Sequence, residues 1–177
     1  RDIPFAPQRI AHLMRQVLSA LGAAHRAGIV HRDLKPENVL VVTDPSTGEE
    51  VVKVCDFGIA KIQEVSGDSQ ITASGFVCGT PEFMAPEQAR GEELDSRADI
   101  YAAGCMLYQL LTGVVPFVAD SALGIITKHL TEAPVPPRRR APQLRIPRSL
   151  ESIALKAMAK EPVDRYETAA AMSAAIS

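Results

Sequence analysis

The segment GIVHRDLKPENVLVV, Gly28 to Val42, sets His31, Arg32, Asp33, Lys35, Glu37 and Asn38 between two apolar runs. Flanked in this way, most of these polar groups should be at least half buried, and a buried charge costs on the order of several kcal/mol unless it is paired or has a chemical task. The groups on offer are carboxylates, an ammonium, a guanidinium and a carboxamide, which between them can take up protons, neutralise anions and ligate cations. The bland alternative is that Asp33 and Asn38 cap a turn, as Asp and Asn commonly do. A further acid, Asp56, follows the next β-branched run and weighs against that alternative.

Positioning such groups requires elements on both sides. Ile10, Leu13, Met14, Val17, Leu18 and Leu21 recur at three- and four-residue steps, which predicts a helix from about Pro7 to Ala27 with Gly28 as its stop. Val39–Val42 and Val51–Val54 flank the turn-rich TDPSTGEE and predict a hairpin. Gln63 to Gly79, rich in Ser, Thr and Gly, reads as a mobile loop. Ser96 is the expected N-cap of a helix to about Thr112, closed by Gly113, and RADIYAAGCMLYQLLT is apolar or small on most faces, so it belongs in the middle of a core. Shorter helices are expected at about Ser121–Thr131, Ser149–Ala159 and Thr168–Ile176, with the Pro-rich EAPVPPRRRAPQLRIP as an irregular link. The architecture is α+β: mostly helical, with one small β-hairpin.

The 177 residues suffice for one domain or a large part of one, with a sizeable core. A net charge of −2 gives no electrostatic case for nucleic acid or an anionic membrane. The basic run Arg138, Arg139 and Arg140 reads as a solvated loop before it reads as a site for an acidic partner. Three cysteines, Cys55, Cys78 and Cys105, lack metal-binding spacing and fit a reducing cytosol; Cys55 and Cys78 are read as small packing residues before they are read as reactive thiols. No apolar run approaches the about 18 residues of a membrane span, and a first residue of Arg1 is read as a chain cut from something longer.

HRDLKPEN from His31 to Asn38, DFG from Asp56 to Gly58 and GTPEFMAPE from Gly79 to Glu87 stand in one order. Together they resemble the catalytic loop, the magnesium loop and the end of the activation segment of eukaryotic-type protein kinases. The resemblance covers the whole chain. It implies a partial kinase domain over residues 1–177, the large C-terminal lobe with an activation segment at about 56–87, and no small N-terminal lobe. The later wording PEQARG and KEPVDRYETAAAM is most similar to bacterial serine/threonine kinases.

The implied reaction is transfer of the γ-phosphate of ATP, with Mg2+, to Ser or Thr hydroxyls of proteins. By the resemblance, Asp33 orients the substrate hydroxyl and accepts its proton, and Lys35 faces the transferring phosphate. Asn38 and Asp56 hold magnesium, Leu40 joins Lys35, Asn38 and Asp56 in the nucleotide site, and Thr80 supports Asp33 and Lys35. His31 is structural and packs against Phe57. Arg32 awaits a phosphate in the activation segment, on Thr72 first and Ser74 second. Asp99, which could also cap its helix, is expected to hold the backbone of the catalytic loop, and Glu87 and Arg165 are expected to form a buried ion pair. DLKPEN and GTPE resemble the Ser/Thr branch rather than the tyrosine branch.

A glycine-rich loop, a strand lysine paired with a helix glutamate, and a hinge for adenine are all missing before residue 28. The isolated chain is therefore expected to transfer little or no phosphate, and the missing N-terminal lobe is its first expected partner. The chain is expected in the cytoplasm, with a longer parent that carries a membrane anchor in bacterial relatives. Two rivals remain: a non-catalytic, pseudokinase-like interaction module, and a small-molecule phosphotransferase sharing the H-x-D-x-x-x-x-N loop.

Overall fold

A computed structural model describes residues 5–57 and 80–176. The expected loop from Gln63 to Gly79, Gly58, and the candidate phosphate acceptors Thr72 and Ser74 lie outside the described residues.

The first helix, α1 (Pro7–Arg26), buries the six residues of its predicted stripe. It ends in a paired backbone motif, with Gly28 N–H donating to His25 O at 3.0 Å and Ile29 N–H to Ala24 O at 3.0 Å. That closure needs a left-handed residue one position beyond the cap, and Gly28, at φ 74°, supplies it without a Cβ penalty. The chain then runs through the polar segment into β1 (Val39–Thr43), which pairs antiparallel with β2 (Glu50–Val54), Val39 opposite Val54 and Thr43 opposite Glu50. The hairpin is tied to α1 by polar groups. Gln16 donates from Nε2 to Glu50 O at 2.9 Å and accepts at Oε1 from Val52 N–H at 2.9 Å, so an exposed strand edge is satisfied by a helix side chain.

Beyond α2 (Pro86–Ala89) stands the central helix α3 (Arg97–Thr112), buried along almost its whole length as its composition predicts. Around it are α4 (Ala122–Thr131), α5 (Pro137–Arg140), α6 (Arg148–Ala157) and α7 (Ala169–Ala175). α3 and α6 approach so closely that a Cβ added at Gly104 would sit 2.7 Å from Ala157 Cβ. Only glycine permits that approach, which is why a helix-weakening residue stands mid-helix.

Two expectations are corrected. Ser96 occupies the N-cap position of α3 but its side chain makes no capping bond, because at φ −59° and ψ −18° it is already helical, whereas a cap residue needs an extended backbone. Asp95 takes over, accepting Arg97 N–H at Oδ1 over 2.7 Å. The Pro-rich link is not irregular throughout: Arg138–Arg140 form the short helix α5, opened by the buried Pro137. Proline fits there because the first turn of a helix has no use for its missing N–H.

At one end of the core, His129 of α4 is fully buried, with its Nδ1 2.8 Å from the Tyr101 hydroxyl and its ring edge-on to Phe117 at 4.8 Å. Lys160 donates to the His129 carbonyl at 2.7 Å. Burial, reinforced by the Lys160 charge, pushes the imidazole down to about 4 from 6.5. The folded state thus prefers neutral His129, so its contribution is fully present above pH 6.5 and is lost as the pH falls towards 4. Between pH 7 and 5 this amounts to roughly 2 kcal/mol. Urea unfolding at the two pH values should therefore show a stability loss that shrinks by about that amount in His129→Gln.

Candidate active site

The polar segment is held by one carboxylate. Asp99, in the first turn of α3, is 1 % exposed and receives His31 N–H at Oδ2 (2.8 Å) and Arg32 N–H at Oδ1 (2.9 Å). His25, from the last turn of α1, places Nε2 2.7 Å from Oδ2. On the other side, Gln88 donates from Nε2 to Arg32 O at 2.7 Å. Both backbone groups of Arg32 are therefore clamped by side chains. The clamp holds a strained residue: Arg32 has φ 66°, a left-handed conformation that costs an ordinary residue roughly 1–2 kcal/mol.

His31 is fully buried, its Nε2 lies 2.9 Å from Cys55 O, and its ring lies 4.7 Å from that of Phe57. It thereby joins the polar segment to the residues after β2. Asp33 follows on the exposed side, its side chain 30 % accessible, with Lys35 Nζ 3.0 Å from its Oδ2. The same ammonium donates to Thr80 Oγ1 at 3.2 Å. Asn38, buried in the 3-10 turn Pro36–Asn38, donates from Nδ2 to Asp33 O at 2.9 Å, and its own carbonyl receives Cys55 N–H at 2.8 Å. At Asp56, the residue before Phe57, the backbone is again left-handed: Asp56 has φ 55° and is solvent-exposed, a conformation Asp tolerates better than most residues. Leu40, on β1, is 51 % exposed.

These groups form a chemically coherent set. A half-exposed carboxylate and an ammonium share one hydrogen bond, a hydroxyl braces the ammonium, and the carboxamide Asn38 and the carboxylate Asp56 offer hard oxygen atoms. Oxygen donors of this kind suit Mg2+, which takes one or two protein ligands and leaves other positions to water and phosphate. Among the described residues no group of three or more His, Cys, Asp or Glu forms a self-sufficient metal site.

A second buried carboxylate organises the other end of the segment. Glu87 in α2 and Arg165 form a bidentate pair, Nη1–Oε1 2.6 Å and Nη2–Oε2 2.7 Å. The remaining Arg165 donors go to the carbonyls of Ala159 (2.8 Å), Arg97 (2.9 Å) and Lys160 (2.9 Å). All five N–H groups are thus used, which is what makes a buried guanidinium tolerable.

A family model described as the protein kinase domain matches residues 1–175. The chain belongs to the protein kinase domain family. Among curated relatives, this kinase chain is 53 % identical to the serine/threonine-protein kinase pkn3 of Myxococcus xanthus, over 98 % of the chain and 32 % of the relative. It is 43 % identical to the serine/threonine-protein kinase PknB of Mycolicibacterium smegmatis, over 98 % of the chain and 26 % of the relative. A probable serine/threonine-protein kinase of Corynebacterium efficiens is 44 % identical over 98 % of the chain and 26 % of its own length. The kinase chain therefore spans about a third or less of the length of these relatives.

The described part of the kinase chain gathers Arg32, Asp33, Lys35, Asn38 and Thr80 around one loop, and joins that loop through His31 to Cys55 and Phe57. It does not link Arg165 to that loop directly; the connection runs through α2, where Glu87 adjoins Gln88. Three residues escaped the sequence reading. Gln88 and His25 both steady the loop, and Gln16 steadies the hairpin. The position of His25 in the last turn of α1 reads in sequence only as a favourable dipole interaction, and nothing local marks Gln88 beyond its place after Glu87.

Replacing Arg165 with Ala leaves Glu87 as a buried carboxylate without its cation and should cost about 3–5 kcal/mol. Thermal unfolding followed by circular dichroism reads this directly, and an unchanged Tm would contradict the structural importance of the pair.

Proposed function

We propose that this chain, working within a longer protein, transfers the γ-phosphate of ATP to Ser or Thr hydroxyls of protein substrates. The observation that carries the reading is the contact set Asp33–Lys35–Thr80, in which the Lys35 ammonium donates to both an acid and a hydroxyl at the open side of the loop. Phosphoryl transfer requires little covalent work from a protein and much positioning and charge neutralisation. Asp33 would orient the acceptor hydroxyl and take its proton as the new O–P bond forms. Lys35 would neutralise charge on the transferring phosphoryl oxygens, held in place by Thr80. Asn38 and Asp56 would hold magnesium, which when bound neutralises charge on the phosphates. Leu40 presents an exposed apolar surface on β1 that suits the flat face of a base.

The 177 residues contain neither a glycine-rich loop nor a strand Lys of the kind that anchors ATP phosphates. We therefore propose that the chain by itself is inactive and that a small N-terminal lobe completes the site. The cytoplasm is the proposed site of action, since ATP and reduced thiols are both available there. Among the described residues, no helix is long and apolar enough to cross a membrane. Arg32 is the proposed partner of a phosphate on Thr72 or Ser74, which would add a charge-assisted contact to the loop that Asp33 stands on.

The test uses the longer parent protein with ATP, Mg2+ and a generic protein substrate. Asp33→Asn should lower kcat by about 10²–10⁴-fold, with ATP binding little changed, whereas the 177-residue chain alone should show no turnover. Full activity of the variant would overturn the role of Asp33, and robust turnover by the chain alone would overturn the need for a second lobe. Phosphopeptide mapping of the ATP-treated parent reads the Arg32 proposal, which fails if neither Thr72 nor Ser74 carries phosphate.

A further inference from the structure

Residues 136–148 read PPRRRAPQLRIPR, with five arginines and no acid. Because the whole chain carries −2, these five positive charges leave −7 on the rest, so the segment is an island of the opposite sign. None of its arginines forms an ion pair with the described residues. Arg138 and Arg145 line an open depression of about 420 Å³ whose other lining residues are Pro142, Leu144 and Ile146. Ile146 is buried and Leu144 half-buried, so the depression has an apolar floor and a cationic rim.

The frame beneath the rim is fixed. Ala141 N–H donates to Pro137 O at 2.9 Å, Leu144 N–H to Ala141 O at 3.0 Å, and Ile146 N–H to Leu144 O at 2.9 Å. Glu151 of α6 accepts Arg138 N–H at 2.7 Å, which pins α5 to α6. Buried Pro137 and Ala141 anchor both ends of the turn. A solvated loop would have to order its backbone on binding; this one has that ordering built in, which lowers the entropy cost of engaging a ligand.

We propose that this depression docks a phosphorylated Ser or Thr side chain of a protein segment, with an apolar neighbour of the phosphorylated residue resting on Leu144 and Ile146. The guanidinium fork matches phosphate oxygens in a bidentate way that an ammonium cannot, and two such forks face one concavity. The concavity and its apolar floor favour a peptide over a flat anionic bilayer, which would meet the arginine tips and leave the floor empty. The docking is separate from the transfer reaction and needs neither ATP nor Asp33.

Fluorescence anisotropy of the 177-residue chain in ATP-free buffer tests it. The probe is a labelled peptide with the sequence SGDSQITASGFV, residues 66–77, which has no Lys or Arg and places Ile71 beside Thr72, made with and without phosphate on Thr72. The phosphorylated form should bind at least about ten-fold more tightly than the plain form and weaken as salt rises. Arg138→Ala/Arg145→Ala should lose about ten-fold or more in affinity, while Arg15→Ala/Arg26→Ala, which removes two exposed charges from α1, should not. Both pairs are exposed, and circular dichroism confirms that each variant keeps its helices. Equal binding of the two peptides, retained affinity in the Arg138/Arg145 variant, or an equal loss in the α1 variant overturns the proposal. So does binding to phosphatidylserine vesicles with no binding of the phosphopeptide.

Discussion

Everything at the candidate site depends on the carboxylate of Asp99. It sits in the first turn of the most buried helix, where the helix N-terminus favours a negative charge, and it spends its lone pairs on the backbone of His31 and Arg32 and on His25. A buried acid is costly unless it is fully partnered, and here the partners are the backbone that must be immobilised. One interaction thus satisfies the charge and fixes the loop. The left-handed turn at Arg32 is the result, and from that turn Asp33 emerges at the open side with Lys35 and Thr80 around it.

The same logic recurs at Arg165. Its five donors go to the Glu87 carboxylate, the Arg97 carbonyl and the adjacent carbonyls of Ala159 and Lys160, so the guanidinium acts as a junction between α2, the start of α3 and the turn after α6. Gln88, the residue after Glu87, reaches back to Arg32 O. The two buried charges are therefore coupled through α2: Arg165 fixes that short helix, and the helix closes the clamp whose other jaw is Asp99. The polar groups of the core hold the position of a loop, while the hydrophobic contacts of α3 with α1 and α6 supply the bulk of the burial.

Local signals made the helices legible: α1 buries a face whose apolar spacing is written in its sequence, α3 is apolar or small on most faces, and α4, α6 and α7 lie between start and stop residues. The hairpin was legible for the same reason, in β-branched runs around a turn. The cap of α3 was not. Ser96 has the right type, but the chain enters the helix one residue earlier than the cap requires, and backbone direction is set by what α3 packs against. The arginines at 138–140 were read as a loop because proline ordinarily breaks structure, whereas here the buried ring of Pro137 starts a turn.

The order of HRDLKPEN, DFG and APE and the types of their residues were determined by the sequence, since chemical identity and spacing are local facts. That Thr80 joins Asp33 and Lys35 and that His31 lies against Phe57 was expected only through the family resemblance, and that Gln88 and His25 steady the loop was decided by tertiary structure alone. Those contacts span from 2 to 74 positions along the chain, and at the longer separations no local propensity carries them. The long-range partners become neighbours only when α3 is buried and its one internal carboxylate finds the donors that make its burial tolerable.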